Sequence, residues 1–430
     1  MKEIKYIPRL FDDILEFALK SKGAIVVEGP KWCGKSTTCK LHANEIVDLM
    51  PIKTRQEYIL EAKIAPDTFL NSRNKPLLID EWQHISFIWD QIKTEVDESH
   101  SFGQFILTGS VTDKDVDYDD SESKHTGNGR IVRKRMRTMS LFESGESSGE
   151  VSLSNLKNHT FKIARSKLSL DDYAFLLCRG GWPLAINDDK KIALQQAKDY
   201  YEVVVTDDIF SLKSIKLIKD EQKARNVMRS YARNISIAAS DQTLINDCVS
   251  GNESFDKETF YKYLMALEYL HVTEELPAWN PNVKSKTAIR TKPTRHFVDP
   301  SIATAALGLT PEALFRNIEL FGCLFESLVV RDLRCYCDTI NARLYKYRDS
   351  KKREVDIVIV FEDGSWALVE VKLGGTDDVE YAAKKLKDIA NDIDINKTGS
   401  CAFLMVVTKG NLAYQREDGV YVVPLGCLRN

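Results

Sequence analysis

The sequence predicts an α/β fold built on a parallel sheet, and three short apolar runs predict it. Ala24–Val27 leads into a glycine-rich stretch, Leu77–Ile79 into the acids Asp80 and Glu81, and Phe105–Leu107 into Thr108, Gly109 and Ser110. Unbroken apolar runs of this length mark strands covered on both faces, and an open sheet of such strands binds ligands at their C-terminal ends.

The first strand is followed by Gly29-Pro30-Lys31-Trp32-Cys33-Gly34-Lys35-Ser36, and Thr37 to His42 open a helix. This is the P-loop spacing G-x-x-x-x-G-K-S. A glycine-rich turn between strand and helix points successive N–H groups at one spot, where the helix N-terminus adds partial positive charge. The whole stretch from Gly29 to Thr37 is therefore the expected contact for ATP, with Lys35 on the β- and γ-phosphates and the Ser36 hydroxyl on Mg²⁺. On the second strand, Asp80 is expected to hold the Mg²⁺, directly or through water, and Glu81 to polarise the attacking water. An Ile-Asp-Glu triplet alone is an ordinary strand end, but about 45 residues after a P-loop it becomes a second witness. On the third strand, Thr108 and Ser110 are candidates to hydrogen-bond the γ-phosphate or the attacking water. For Ser110 a strand running into a turn explains the pattern equally well.

Ile7-Pro8-Arg9, the Gly29–Ser36 loop, Leu78-Ile79-Asp80-Glu81-Trp82-Gln83 and Phe105 to Ser110 together resemble the AAA-type ATPase family of bacteria and archaea that carries a C-terminal domain of unknown function. Gly129-Arg130 and Met136-Arg137-Thr138-Met139-Ser140-Leu141 continue the likeness. Lys31, Trp32 and Ser36 replace the family's usual Arg, Gln and Thr, and Thr138 its Pro; the loop changes keep the phosphate chemistry. The resemblance implies ATP binding and hydrolysis and names no cellular task.

At 430 residues, 43% hydrophobic and 29% charged, the chain has the size and composition of two to three globular domains. A net charge of −3 demands no polyanionic partner, so a DNA site would have to be a local patch. The charged start Met1–Tyr6 and the acids Asp12, Asp13 and Glu16 argue against a signal peptide, and no apolar run is long enough to span a membrane. The nine cysteines are scattered and show no C-x-x-C spacing, which points to a reducing cytoplasm without zinc or disulfides.

Residues 1–165 read as the ATPase core. Within it Asp113–Gly129 is an acidic surface loop, and Arg130, Arg133, Lys134, Arg135 and Arg137 form a basic run. Such a run is an ordinary solvated face, a DNA-phosphate contact, or the source of an arginine finger for a neighbouring subunit. Arg130 is the candidate finger, and a finger acting in trans requires a homo-oligomer. Residues 166–217 read as a helical lid, interrupted by Gly180-Gly181-Trp182-Pro183, which resembles the family's G-G-x-P turn. Asp207-Asp208 stands where the family usually has Arg-Asp, which puts lid sensor contacts in doubt.

Residues 218–305 read as a winged-helix module: helices over Lys223–Ala239, Asp241–Cys248 and Asp256–Leu270, then a hairpin of His271–Leu276 with Thr294–Asp299. Lys284, Lys286, Arg290 and Lys292 lie between the hairpin strands, and Lys257, Tyr261 and Lys262 form the exposed face of the third helix. That face either meets DNA in the manner of a recognition helix or serves domain packing alone. Arg295-His296-Phe297-Val298-Asp299 follows the family's aromatic-x-Asp pattern, with a diverged turn after it.

Residues 306–430 carry a second constellation. Glu326 lies on a helix over Phe315–Leu333, a strand follows at Arg343–Tyr347, Asp356 starts the strand Val355–Val360, and Glu370 and Lys372 lie on the next, Trp366–Lys372. Residues i and i+2 of a strand share a face, so Glu370 and Lys372 project together toward Asp356. A helix over Val379–Ile393 and strands at Ala402–Val407 and Val420–Val423 complete an αβββαβ order. The order resembles the restriction-endonuclease-like fold with its D…(D/E)-x-K pattern. The likeness implies Asp356 and Glu370 as Mg²⁺ or Mn²⁺ ligands, with Glu326 and Lys372 beside them. The competing reading of Glu370 and Lys372 is a surface ion pair. The expected architecture is thus a P-loop (AAA-type) core with lid, winged helix and nuclease-like α/β domain. ATP is the ligand, and DNA, further copies of the chain and an unidentified protein stay open as partners. Two functions compete: an ATP-driven DNA-processing enzyme, and a nucleotide-dependent switch with an inactive nuclease-like domain.

Overall fold

A computed structural model describes residues 6–109, 129–212, 220–249, 255–280, 292–349 and 351–430. Ser110, the wing residues Lys284, Lys286 and Arg290, and most of the Asp113–Gly129 loop lie outside the described residues.

The first module is a five-stranded parallel sheet in the order β2-β3-β4-β1-β5. Its strands are β1 (Ala24–Glu28), β2 (Glu45–Asp48), β3 (Leu77–Asp80), β4 (Phe105–Thr108) and β5 (Ile131–Arg135). β4 lies between β1 and β3, with Ala24 and Leu77 both in register with Phe105, so the loops after all three strands leave from one edge. Helix α1 (Leu10–Ser21) buries Phe11, Leu15 and Ala18, a single helical stripe, against Ile25, Val27 and Ile106. Helix α2 (Lys35–Leu41) follows the glycine-rich loop. The opposite sheet face packs Val26, Ile79 and Leu107 on α3 (Ile52–Ile64), α4 (Pro66–Asn71) and α5 (Trp89–Ser99).

Two short strands then leave this module. β6 (Val151–Ser152) pairs with β14 (Leu428–Arg429), and after α6 (Leu153–Lys157), β7 (Ala164–Arg165) pairs with β12 (Leu412–Gln415). β7, within the residues assigned from the sequence to the ATPase core, thus extends the C-terminal sheet, while β6 and β14 form a separate two-stranded sheet. Next come α7 (Leu170–Arg179) and α8 (Lys190–Val203), then a widened turn over Val204–Asp208 and α9 (Ile209–Ser211). Three helices follow, α10 (Glu221–Arg233), α11 (Asp241–Cys248) and α12 (Lys257–Tyr269), each opened by a Ser or Asp cap. Antiparallel bridges Thr273–Phe297 and Leu276–Thr294 join the segments after α12, where the hairpin was expected.

The C-terminal part opens with α13 (Pro300–Ala306), α14 (Pro311–Leu314) and the long α15 (Ile318–Thr339). Then come β8 (Arg343–Arg348), β9 (Glu354–Val360), β10 (Trp366–Lys372), α16 (Thr376–Asp392), α17 (Ile395–Thr398), β11 (Cys401–Thr408), β12 and β13 (Tyr421–Pro424). The sheet order is β7-β12-β13-β11-β10-β9-β8, antiparallel from β8 to β10 and parallel from β10 to β13 through β11. Among the described residues no helix is long and apolar enough to cross a membrane, and all nine cysteines are free thiols.

One buried carboxylate joins four stretches of the chain that lie far apart in sequence. Asp299 Oδ2 accepts from Thr138 Oγ1 at 2.8 Å and Gly181 N at 2.9 Å, and lies 3.2 Å from Arg331 Nη1, while Oδ1 accepts from Ser301 N at 2.9 Å. Burial works against its charge, but Arg331 and these donors hold its pKa below the usual carboxylate value. Thr138, Gly181 and Asp299 belong to three separate motifs of the family likeness, and the fold gives them one shared location.

Candidate nucleotide site

Gly29 adopts φ 151°, and a Cβ there would collide with the carbonyl oxygen of Met136; Gly34 adopts φ 99° as the cap of α2. Both positions favour glycine, so the loop leaves an open cradle of backbone N–H groups at the end of β1. Lys35 is buried, its ammonium donating to the Gly29 and Pro30 carbonyls at 2.8 and 2.9 Å. These are contacts a phosphate could take over. Ser36 Oγ donates to Asp80 Oδ1 at 2.8 Å, Thr108 Oγ1 donates to the same oxygen, and Lys40 Nζ lies 3.6 Å from Oδ2. The three strand ends are therefore brought together as expected, with Ser110 outside the described residues. Hard oxygens of Ser36 and Asp80, in hydrogen-bond contact beside the cradle, suit a Mg²⁺ ion.

Glu81 follows Asp80 in the left-handed region at φ 59°, rare for a residue with a side chain, and accepts from Gln83 Nε2 at 2.5 Å. Backbone strain of this kind turns a carboxylate off the line of its strand and clusters at functional positions. The P-loop is also held from outside. Arg9 Nη1 donates to Cys33 O at 2.8 Å while its Nε pairs with Glu143 at 2.9 Å. Lys31 pairs with Asp208, after α8, at 2.5 Å, and the Trp32 ring meets Tyr200 of α8 edge-on at 5.6 Å. Burial raises the Asp208 pKa, opposed by Lys31. Lys31 and Trp32, expected within the ATP contact, thus also meet Asp208 and Tyr200.

The basic run is not a free face. Arg133 pairs with Glu28 at 2.5 Å, Arg135 lies 3.3 Å from Glu274, and Arg137 bridges Glu274 at 2.6 Å to Asp338. Burial opposes the charge of Glu274, yet Arg137 and Arg334 pull its pKa well below the ordinary value. Arg130 stands at the other end of β5, its guanidinium on the Asp97 carbonyl and 3.4 Å from the Asp97 carboxylate. The expected DNA face of α12 is partly spent as well: Tyr261 donates to Asp241 at 2.9 Å and Lys262 pairs with Glu258 at 2.7 Å.

The second constellation does assemble. Lys372 Nζ lies 2.9 Å from Glu370 Oε2 and 3.8 Å from Asp356 Oδ2, and Asp356 also accepts from Val371 N at 2.8 Å. Lys385 of α16, absent from the sequence reading, reaches Glu370 Oε1 at 2.7 Å. Glu370 has no exposed surface, so this is no surface ion pair, and neither lysine contact has hydrogen-bond geometry. Burial and then Asp356 raise the pKa values of both Glu326 and Glu370. Among the described residues Glu326 Oε1 is buried without a partner. Among the described residues no three His, Cys, Asp or Glu side chains converge closely enough to hold a metal ion on their own.

Residues 21–144 match the AAA domain family. Residues 170–313 match a domain of unknown function (DUF8612), and residues 321–428 match another (DUF4143). Among solved structures, a Walker-type ATPase of Pyrococcus abyssi is similar at 14% identity, over 70% of this chain and 96% of its own, with TM-score 0.42. The Aeropyrum pernix ORC2 protein aligns at 11% identity over 75% and 91%, TM-score 0.31. Drosophila ORC, solved bound to DNA, aligns at 9% over 70% and 85%, TM-score 0.18. No curated protein matches. With the glycine cradle, Lys35, and the Ser36–Asp80–Thr108 cluster, the match over residues 21–144 makes this segment a P-loop ATPase module of the AAA type.

Proposed function

We propose that the chain hydrolyses ATP and uses the nucleotide state to control its winged-helix and nuclease-like parts on DNA. The observation that carries the ATPase reading is the meeting of three strand ends at Asp80, with Ser36 and Thr108 on one oxygen and Lys35 beside the cradle. Lys35 and the loop amides hold the phosphates, and Ser36 and Asp80 hold Mg²⁺, which when bound neutralises charge developing on them. Glu81 accepts the proton of the attacking water. Thr108 keeps the Asp80 carboxylate oriented. The test is phosphate release from Mg²⁺-ATP with and without duplex DNA, using Lys35→Ala as the blank. Turnover no higher than in Lys35→Ala sinks the ATPase reading, and turnover indifferent to DNA sinks the DNA coupling.

A second reading, a nucleotide-dependent switch without cleavage, is favoured by one observation: Lys372 and Lys385 both cover the Glu370 carboxylate. Cutting of DNA in Mg²⁺ or Mn²⁺ that Asp356→Ala abolishes selects the enzyme. No cutting by the parent protein selects the switch, whose partner is then DNA or a protein docked on the C-terminal domain. Arg130 as a finger in trans belongs to the same proposal. An ATP-bound form that stays monomeric at full turnover removes it.

A further inference from the structure

The side chain of Arg9 is buried at the cap position of α1, and its guanidinium serves three separate partners. Nη1 donates to the Cys33 carbonyl at 2.8 Å, Nη2 to the Arg137 carbonyl at 2.9 Å, and Nε to Glu143 Oε1 at 2.9 Å. Glu143 is fixed in turn, accepting from Leu10 N at 2.9 Å, Ser140 N at 2.7 Å and Ser140 Oγ at 2.8 Å. A planar fork anchored in this way has little freedom to turn.

One of its partners lies inside the P-loop. Cys33 precedes Gly34, the cap of α2, and a Cβ on Gly34 would stand 3.5 Å from Arg9 Nη1. The peptide between them is trans, so the Cys33 carbonyl and the Gly34 N–H point to opposite sides. A carbonyl drawn out to Arg9 therefore turns the Gly34 N–H away from Arg9. The same segment holds α2 at two further points. Tyr6 Oη lies 3.1 Å from Thr38 Oγ1, and His42 Nε2 lies 3.0 Å from Asp12 Oδ1. The loop and the helix behind it are thus fixed by residues 6–12, which the P-loop motif does not include.

We infer that Arg9 is a positioning residue for the triphosphate: by holding the Cys33 carbonyl outward it keeps the Gly34 N–H turned into the cradle, where it donates to a phosphate oxygen. The inference rests on the ATP-binding reading above. The guanidinium acts through the loop and not on the phosphate itself.

The experiment titrates the full chain with a non-hydrolysable ATP analogue and Mg²⁺ by calorimetry, and follows the Gly34 amide by NMR of glycine-labelled protein. In the parent the Gly34 amide proton is expected to move downfield on binding, as a new hydrogen bond to phosphate requires. A parent that binds the analogue with this signal unmoved overturns the inference without any variant. Arg9→Lys keeps a charge beside Glu143 but has no fork to reach two carbonyls as well. It is expected to weaken analogue binding about tenfold, with a smaller Gly34 displacement. Affinity within about threefold of the parent overturns the inference. So does weaker binding with the full Gly34 displacement, which marks loosened packing. Lys35→Ala tests the reading beneath: if the parent binds no analogue, or binds it no better than Lys35→Ala does, that reading falls and the inference falls with it.

Discussion

Replacing Asp299 by Asn changes one atom's chemistry where Thr138, Gly181 and Arg331 meet from distant stretches of the chain. The carboxylate takes donors from Thr138, Gly181 and Ser301 and faces Arg331. An Asn oxygen at the Oδ2 position keeps two of these donors. The amide nitrogen then opposes Ser301 N–H, which costs a helix cap, about 1 kcal/mol. Arg331 loses one of its two carboxylate partners and retains Asp332 at 2.7 Å, a further loss of about 1.5–3 kcal/mol for a buried charge-assisted contact. The expected destabilisation is about 2.5–4 kcal/mol. Urea unfolding followed by tryptophan fluorescence reads it. The loss should move every transition, because no part keeps its junction. The sign of the pH dependence follows from the depressed carboxylate: its contribution is complete above the ordinary value of 3.8 and is lost as pH falls through the lower folded value. The parent–mutant gap should therefore persist from neutral pH down to about pH 4 and close below it. A loss under about 0.5 kcal/mol, or one confined to a single transition, refutes the junction argument.

Arg137→Ala should cost about 2–4 kcal/mol, less than a full broken buried pair because Arg135 and Arg334 stay near Glu274; a double-mutant cycle with Glu274→Gln measures the coupling. Gly29→Ala should abolish nucleotide binding with little change in the C-terminal domain, since its Cβ strikes the Met136 carbonyl; retained analogue affinity would contradict the cradle geometry. Burial depresses the folded pKa of His271 to about 3 against 6.5, so the unfolded chain protonates first and the parent loses stability as pH falls through that window. Between pH 6.5 and 5 His271→Leu should escape about 2 kcal/mol of acid destabilisation, read from paired urea titrations.

The phosphate-binding chemistry was legible because it is local. Gly29, Gly34, Lys35 and Ser36 must follow one another at fixed spacing, and an apolar strand announces them. The Asp356–Glu370–Lys372 set was legible for a similar reason, since strand periodicity fixes which residues share a face. Lys385 was missed because it arrives from α16 across the sheet, with no spacing rule tying it to Glu370. Arg133, Arg135 and Arg137 looked like a solvated run because their partners lie far away in sequence, Glu274 being 137 residues from Arg137. The role of Asp299 was hidden in the same way, its partner Thr138 being 161 residues distant. β6 and β7 span two residues each, too short for any period to show.

One of those short strands, β7, decides how the C-terminal sheet ends. At one side β7, from far upstream, closes on β12; at the other, Pro277 O and Trp279 N exchange hydrogen bonds with Lys346 on β8 at 2.8 and 2.6 Å. Each border is a strip of chain donated by an earlier part. A fragment cut at residue 306 would carry the whole carboxylate–lysine constellation and two bare backbone margins, and bare margins recruit other strands. The C-terminal part is therefore a lodger whose outer walls belong to its neighbours: isolated, it should stick to copies of itself, and only the intact polypeptide should present it as a single soluble surface.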